Sequence, residues 1–440
     1  MVLKQIFSIK NIKIDIFVLS LSFGLGLGSI DCSFASQPVS QKKIESCVHR
    51  LPAANKDKDQ YLTLGIVISL TKGGFTALEK KRGYDIAVAQ INRVGGVVAG
   101  NKRYLLRAKY LDDAKNKIRA AKMARSLINS GVDYMIGPYG STLTNVVASV
   151  TEKFCMPLVH SAAKTTLFKQ GRKYQFGVSA TFDKYFIGVM ELITIFDQRK
   201  QIRRKYSRNI AVIILNNDAA KEVMIPVFKM AKKQNIKIYP YYKVSRFSKD
   251  VIKSFLEKVK RTKPYGILAF GGRGGISPLV NAINATGTHV PLLAVTHCGG
   301  SAIEERGSHY AYILCPTQWT GASKNTDNYF GSNVGFQIEY ELAYGISPSY
   351  WAASGAASIL VLADAIKRAG GISRQKVRTA LLQTQGLKTF FGEVHFDTTG
   401  RNIAKNMNLL QLQYGRFRLV WPHKSPTKKI IYPAPQWKNR

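Results

Sequence analysis

The chain has 440 residues and is 45% apolar, enough for two or three domains and a large buried core. Its formal charge of +39 is spread along the whole length, with concentrations at 199–208 and 423–440, and makes electrostatic contact with an anionic membrane surface or a polyanion plausible. No zinc spacing, basic heptad helix or aromatic RNA-binding motif accompanies that charge, so no nucleic-acid partner is expected, and biased composition explains it equally well.

Lys4, Lys10 and Lys13 precede the apolar stretch Ile16–Ile30, and Ser33-Phe34-Ala35 offers small residues where a signal peptidase reads. Residues 1–35 therefore read as a signal peptide cut near Ala35, and 36–60 as a polar leader. A lipid-attached cysteine fits less well, because Asp31 stands before Cys32. Cleavage leaves Cys47, Cys155, Cys298 and Cys315, too few for a disulfide scaffold. Cys298 and Cys315 each end a predicted strand and pair if those strands are neighbours. Cys155, within FCMPLV, reads as a core thiol.

From Tyr61 a rhythm of strand and helix sets in. Leu64–Leu70 is an apolar strand, followed by a helix with Gly83, Ala87 and Ile91 on one face. Tyr104–Leu111 alternates as a strand, and the next helix carries Ile118, Ala121, Ala124, Leu127 and Ile128 as its stripe. Val132–Ile136 and Pro157–Val159 are short strands, with a helix between them whose core face is Leu143, Val146, Val147, Val150 and Phe154. The rhythm restarts at Ile210–Leu215, with strands at Ile236–Tyr242, Gly266–Phe270, Pro291–Val295 and Tyr310–Leu314. Alternation of this kind implies right-handed crossovers and parallel sheets covered on both faces. Two such series, broken near Ser179–Lys184, predict two doubly wound α/β domains. The remainder, from about Pro316, is mainly helical and ends in the strands Val394–Phe396 and Leu409–Val420.

The stretch YMIGPYGSTLTNV (134–146) places Gly137, Gly140, Ser141 and Thr142 where a strand hands over to a helix. Two readings stay open from the residues alone: a helix capped by Ser or Thr, or an anion grip built from helix-end N–H groups and hydroxyls. His160–Thr165 lies at the end of the next strand, and ligands in open parallel sheets settle beyond such ends. No Walker A sequence, nucleophile elbow or metal-binding histidine spacing occurs, so neither an enzyme nor a cofactor is expected. Asp112-Asp113 reads as a cap of the helix that follows, and Glu304-Glu305 as a weak acid/base pair.

With these motifs in order, the chain resembles the periplasmic solute-binding proteins of ABC importers in the branched-chain amino-acid (Leu/Ile/Val-binding) group. GYDIAVAQINRVGGVVAG (83–100), YLDDAKN (110–116), GVDYMIGPYGSTLTNVVASV (131–150), MPLVHSAAKTT (156–166), FGEVHFDTTGR (391–401) and YGRFRLVWP (414–422) carry the likeness. The resemblance implies the type I periplasmic binding protein fold, two doubly wound parallel-sheet lobes joined by three crossing strands. Lobe one would be 61–181 with 317–400, lobe two 182–316 with 401–425, and 426–440 a basic tail. It also implies a periplasmic location, a small-molecule ligand held between the lobes, and an ABC permease in the inner membrane as partner.

The resemblance puts the ligand carboxylate at Gly140, Ser141 and Thr142, helped by Ala162, Ala163 and Lys164, with Phe75, Tyr139 and either Tyr350 or Trp351 bounding its apolar part or packing in the core. The sequence also departs from the family pattern. Lys164 stands where relatives carry a threonine, and Thr296 where they carry the acid that holds the α-ammonium; Ala219 and Arg273 replace tyrosines. Lys115 and Gly140 stand where an early disulfide would be. Without an anionic partner for an ammonium, the pocket is expected to favour a ligand more anionic than leucine, such as an organic or aromatic acid, amino acids being the default of the group. Rival readings are a sensor of the same fold feeding a membrane receptor, an envelope enzyme, and a basic protein that binds polyanions.

Overall fold

The computed structural model describes residues 60–198, 205–271, 273–298, 310–422 and 426–436, without the side chains of 273–275. Strand β1 (Tyr61–Ile68) is buried along most of its length, as a strand covered on both faces must be. Helix α1 (Gly74–Arg93), β2 (Val97–Ala99), β3 (Lys102–Asp112), α2 (Lys117–Asn129) and β4 (Tyr134–Ile136) follow in turn. Helix α3 (Ser141–Lys153), β5 (Leu158–His160) and β6 (Gln175–Gly177) then complete a six-stranded sheet of order β2-β3-β1-β4-β5-β6, antiparallel only between β2 and β3.

The second sheet contains β7 (Ser207–Leu215), β8 (Lys237–Val244), β9 (Pro264–Phe270), β10 (Leu293–Val295) and β11 (Leu314–Thr317) in parallel. The antiparallel pair β16 (Asn408–Gln413) and β17 (Arg416–Trp421) extends it to the order β17-β16-β11-β10-β9-β7-β8. Helices α4 (Ile187–Gln198), α5 (Asp218–Lys233), α6 (Lys249–Thr262) and α7 (Arg273–Ala285) cover it. Two small hairpins, β12 (Thr326–Asp327) with β13 (Gly331–Ser332) and β14 (Leu387–Thr389) with β15 (Gly392–Val394), stand apart from both sheets.

The late helices α8 (Asn333–Tyr344), α9 (Tyr350–Ala369) and α10 (Arg374–Leu382) return to the first sheet and share its core with α1. Helix α9 packs closely on α1 at Gly83, where an added Cβ would lie 2.0 Å from the Ala352 carbonyl oxygen.

The chain passes between the sheets three times: after β6, after β11 and before β16. Side chains lash these passes together. The Gln318 amide accepts from Ala180 N–H at 3.0 Å and donates to the Ala180 carbonyl at 2.8 Å. Asn402 donates to the Val178 carbonyl at 2.9 Å, and Arg401 pairs with Asp183 at 2.7 Å. All described residues belong to one compact unit, Ser46–Arg440.

Several expectations change. Strand β11 begins at Leu314, because 310–312 form a turn instead of a strand. Ile118 is 82% exposed, and Ala120 takes its place in the buried stripe of α2. The cap of α2 is Asn116, whose side chain accepts from Arg119 N–H at 2.9 Å. Asp112 instead accepts from Leu70 N–H at 2.8 Å and Thr71 O–H at 2.7 Å, while Asp113 accepts from Ser69 at 2.5 Å. Cys298 and Cys315 form a disulfide with Cα atoms 5.7 Å apart. Cys155 is half-buried and disulfide-bonded, not a core thiol, and its partner lies outside the described residues. The segment expected to be a basic tail is partly packed: Tyr432 stacks on Phe196 at 4.1 Å, and Ile431 N–H donates to Gln411 at 2.8 Å. Apolar Ile430, Ile431 and Tyr432 supply the reason. The signal peptide, the leader to residue 59, Cys47, most of 199–208 and Glu304-Glu305 lie outside the described residues. Among the described residues no helix is long and apolar enough to cross a membrane, and no cluster of His, Cys, Asp and Glu could hold a metal.

Candidate functional site

Each sheet reverses its winding at one point, between β1 and β4 in the first and between β7 and β9 in the second. The loops leaving those carboxyl ends form the crevice that such sheets offer to ligands. On the first sheet, β4 leads through the cis peptide Gly137–Pro138 and half-buried Tyr139 to Gly140, then into α3 at Ser141. Gly140 sits at φ 84°, a conformation that favours glycine, and it is the N-cap residue. It has no side chain to give, so no side-chain cap closes α3. Its first turn keeps the positive end of the helix dipole and unspent N–H donors. The side-chain-cap reading of 134–146 is thereby removed: Ser141 and Thr142 lie inside the helix and do not cap it. Thr142 is exposed, and Ser141 is half-buried.

The loop after β5 runs beside it. Lys164 N–H donates to Ser141 Oγ at 3.3 Å, which joins the two loops. Buried Ala162 donates its N–H to His160 Nδ1 at 3.2 Å, and the Ala163 carbonyl accepts from Phe182 N–H at 2.8 Å. His160 is fully buried, and burial, with Lys80 and Arg172 adding to it, pushes its pKa down to about 3. It stays neutral and shapes the turn.

The second sheet answers with acids from α5. Lys164 Nζ pairs with Asp218 at 3.0 Å, which holds that exposed carboxyl below its usual range with help from Lys221. Glu222 accepts from Thr165 N–H at 2.7 Å and Thr166 N–H at 3.2 Å. The charge that Lys164 brings in place of a threonine is therefore compensated.

Thr296, expected at the ammonium position, is fully buried. Its hydroxyl donates to the Gly271 carbonyl at 3.1 Å and accepts from Gly271 N–H at 3.2 Å, so it clamps the ends of β9 and β10 together. Its hydroxyl proton is committed to Gly271, so in this arrangement the side chain joins two strand ends. Arg273 opens α7, with its side chain outside the description. Phe75 is 50% exposed near the start of α1. Tyr350 and Trp351 pack against each other with tilted rings, centroids 4.3 Å apart, where α9 begins, half-buried. Ala219 packs partly against the core of the second sheet. The structure thus brings Tyr139, Gly140, Ser141, Thr142, Ala162, Ala163 and Lys164 to two adjoining loops, and leaves Thr296 out.

One residue escaped the sequence reading. Lys80 on α1 is only 3% exposed, and its ammonium donates to Ser161 Oγ. It also stands 5.9 Å from the centroid of the Tyr139 ring. Burial lowers its pKa to about 7. The neighbouring carboxylate of Glu79 is already taken by Tyr340 O–H at 2.5 Å, Ser349 N–H at 3.1 Å and Arg82 at 3.3 Å. The signal was present: Ala77, Lys80, Tyr84, Ala87 and Ile91 fall on one helical stripe, which puts the lysine on the buried face.

Two parallel-sheet bodies, three lashed crossings and a donor-rich pair of loops at the first switch point define a cleft-type binding protein. The family profile described as Periplasmic binding protein matches residues 62–416, and the chain belongs to that family. It is a binding-protein family, and the chain is read accordingly as a non-enzymatic solute-binding protein with the type I fold. Solved structures share the fold. The leucine binding protein LivK from Thermotoga maritima is 18% identical with a TM-score of 0.65, over 81% of this chain and 97% of its own. The branched-chain amino acid transporter substrate binding protein LivJ from Streptococcus pneumoniae, in complex with isoleucine, is 18% identical with a TM-score of 0.65, covering 85% and 100%. An ABC transporter solute binding protein from R. palustris, in complex with benzoate, is 16% identical with a TM-score of 0.63, covering 84% and 98%.

Proposed function

We propose that this protein is an extracytoplasmic receptor that captures a small carboxylate between two lobes and delivers it to an ABC importer in the inner membrane. Lobe one is 61–181 with 317–400 and lobe two 182–316 with 401–425, hinged on the three lashed crossings. Closure is a population shift, driven by ligand contacts that both lobes share. The observation that carries this reading is the uncapped start of α3, with Ser141 bonded to Lys164 at 3.3 Å beside it. The carboxylates of α5 that reach the same loops are occupied, Asp218 by Lys164 and Glu222 by the Thr165 and Thr166 amides. Neither of these two carboxylates is left over to balance an α-ammonium. A carboxylate lacking an ammonium therefore suits this crevice better than leucine, and the benzoate and isoleucine complexes of the two structural neighbours bracket the choice.

Thermal unfolding against leucine, isoleucine, benzoate and small organic acids tests it. A ligand at about 100 times its dissociation constant adds about 2.7 kcal/mol and raises the midpoint. A shift by acids alone supports the reading. A shift by leucine at micromolar affinity returns the ligand to the group default, and no shift by any of them overturns the receptor function.

A further inference from the structure

We propose that Lys80 and Ser161 form a charge-backed donor that recognises the anionic group of the ligand, making Lys80 the specificity-determining residue of the crevice. This inference rests on the solute-receptor reading above. A buried ammonium is normally held by a carboxylate, because an uncompensated charge in a low-dielectric interior is costly. Lys80 has no such partner: Glu79 is engaged by Arg82, Tyr340 and Ser349, and Lys80 forms its hydrogen bond with Ser161 Oγ. That hydroxyl accepts from the ammonium, so its own O–H points elsewhere. No acceptor for it occurs among the described residues.

Position completes the case. Ser161 lies between His160 and Ala162, in the loop that Lys164 ties to Ser141 at 3.3 Å. Lys80 reaches that loop from α1 and faces the Tyr139 ring, on the neighbouring loop, at 5.9 Å. One ammonium therefore lies beneath both loops of the first wall. His160, the other titratable group beside it, is held neutral by burial and by Lys80. Lys164 cannot serve in its place, since Asp218 at 3.0 Å already balances it. An anion bound at Ser141 and Ser161 supplies the counter-charge that Lys80 lacks. A bound anion favours the protonated form of Lys80, and a hydrogen bond backed by an ionised donor is stronger than a neutral one.

The experiment is calorimetric titration of the wild-type protein and Lys80→Met with two matched pairs, benzoate against benzamide and leucine against leucinamide. In wild type the acid of the better pair is expected to bind on the order of 100-fold tighter than its amide. In Lys80→Met that ratio is expected to collapse towards unity, with an unchanged or raised unfolding midpoint. A Lys80→Met protein that keeps the wild-type ratio overturns the proposal and leaves the receptor function standing. Absence of binding by wild type to all four probes overturns both. Should Lys80→Met not fold, Ser161→Ala replaces it: the same collapse is expected, and an unchanged ratio overturns the proposal.

Discussion

The two walls of the crevice spend their polar groups differently. On the second-sheet side the polar groups named among the described residues have partners: Asp218 with Lys164, Glu222 with two amides, Thr296 with both backbone groups of Gly271. On the first-sheet side the donors exceed the acceptors. The start of α3 is uncapped, and Lys80 leans on a single hydroxyl. A wall with surplus donors recognises charge, whereas a wall of satisfied pairs holds geometry. Lys80 and Lys164 condense the contrast. Both reach the β5 loop, yet one is buried without a carboxylate and the other is part-exposed with one.

The largest effect expected from this contrast lies in pH. Lys80 and Lys405 are both lowered to about 7 by burial. Between that value and the ordinary lysine range the unfolded chain binds more protons than the folded one, so stability rises with pH. Each lysine contributes up to about 1.4 kcal/mol per pH unit over that window. Urea unfolding at pH 7 and pH 9 should show the rise, with Lys80→Met removing one share. A flat profile in wild type would break the claim of an uncompensated cation.

Next in size is the second wall. Glu222→Ala strands the Thr165 and Thr166 amides and unties α5 from the β5 loop, for a loss of about 1–3 kcal/mol. Glu222→Gln, which retains an acceptor, should lose less; equal losses from the two variants in chemical denaturation would argue that the amides do not matter. Gly140→Ala forces a side chain into φ 84° and should cost about 1 kcal/mol, read as a lower unfolding midpoint together with weaker ligand-induced stabilisation. The smallest effect belongs to Lys164→Ala. Its pair with Asp218, which is 65% exposed, is screened by solvent and adds little to stability, and the acid-to-amide preference should remain that of wild type. Loss of that preference would move the anion-reading role from Lys80 to Lys164.

Much of the fold was legible because its signals are local. The run LGIVISL, the stripe of α2 and the strand IAVIIL announce themselves by burial pattern within a few residues. Errors arose where a neighbour far along the chain decides. Strand β11 starts at Leu314 because its partner β16 begins pairing there, across almost a hundred residues. Ile118 follows the helical period yet faces outward at the first turn of α2. At the site, Gly140 and Ser141 were readable from strand-end chemistry, but Thr296 was not. Only the approach of β9 to β10 shows that Gly271 consumes its hydroxyl.

The sequence by itself determined the alternation of strands and helices, the two-sheet division and the binding-protein family, since periodicity and motif order need no third dimension. Tertiary structure decided the charges. Lys80 meets Ser161 across 81 positions and Lys164 meets Asp218 across 54, so chain separation says nothing about which lysine is balanced. Electrostatic energy depends on distance and burial in space. In this protein those two quantities leave the hidden lysine bare and the visible one paired.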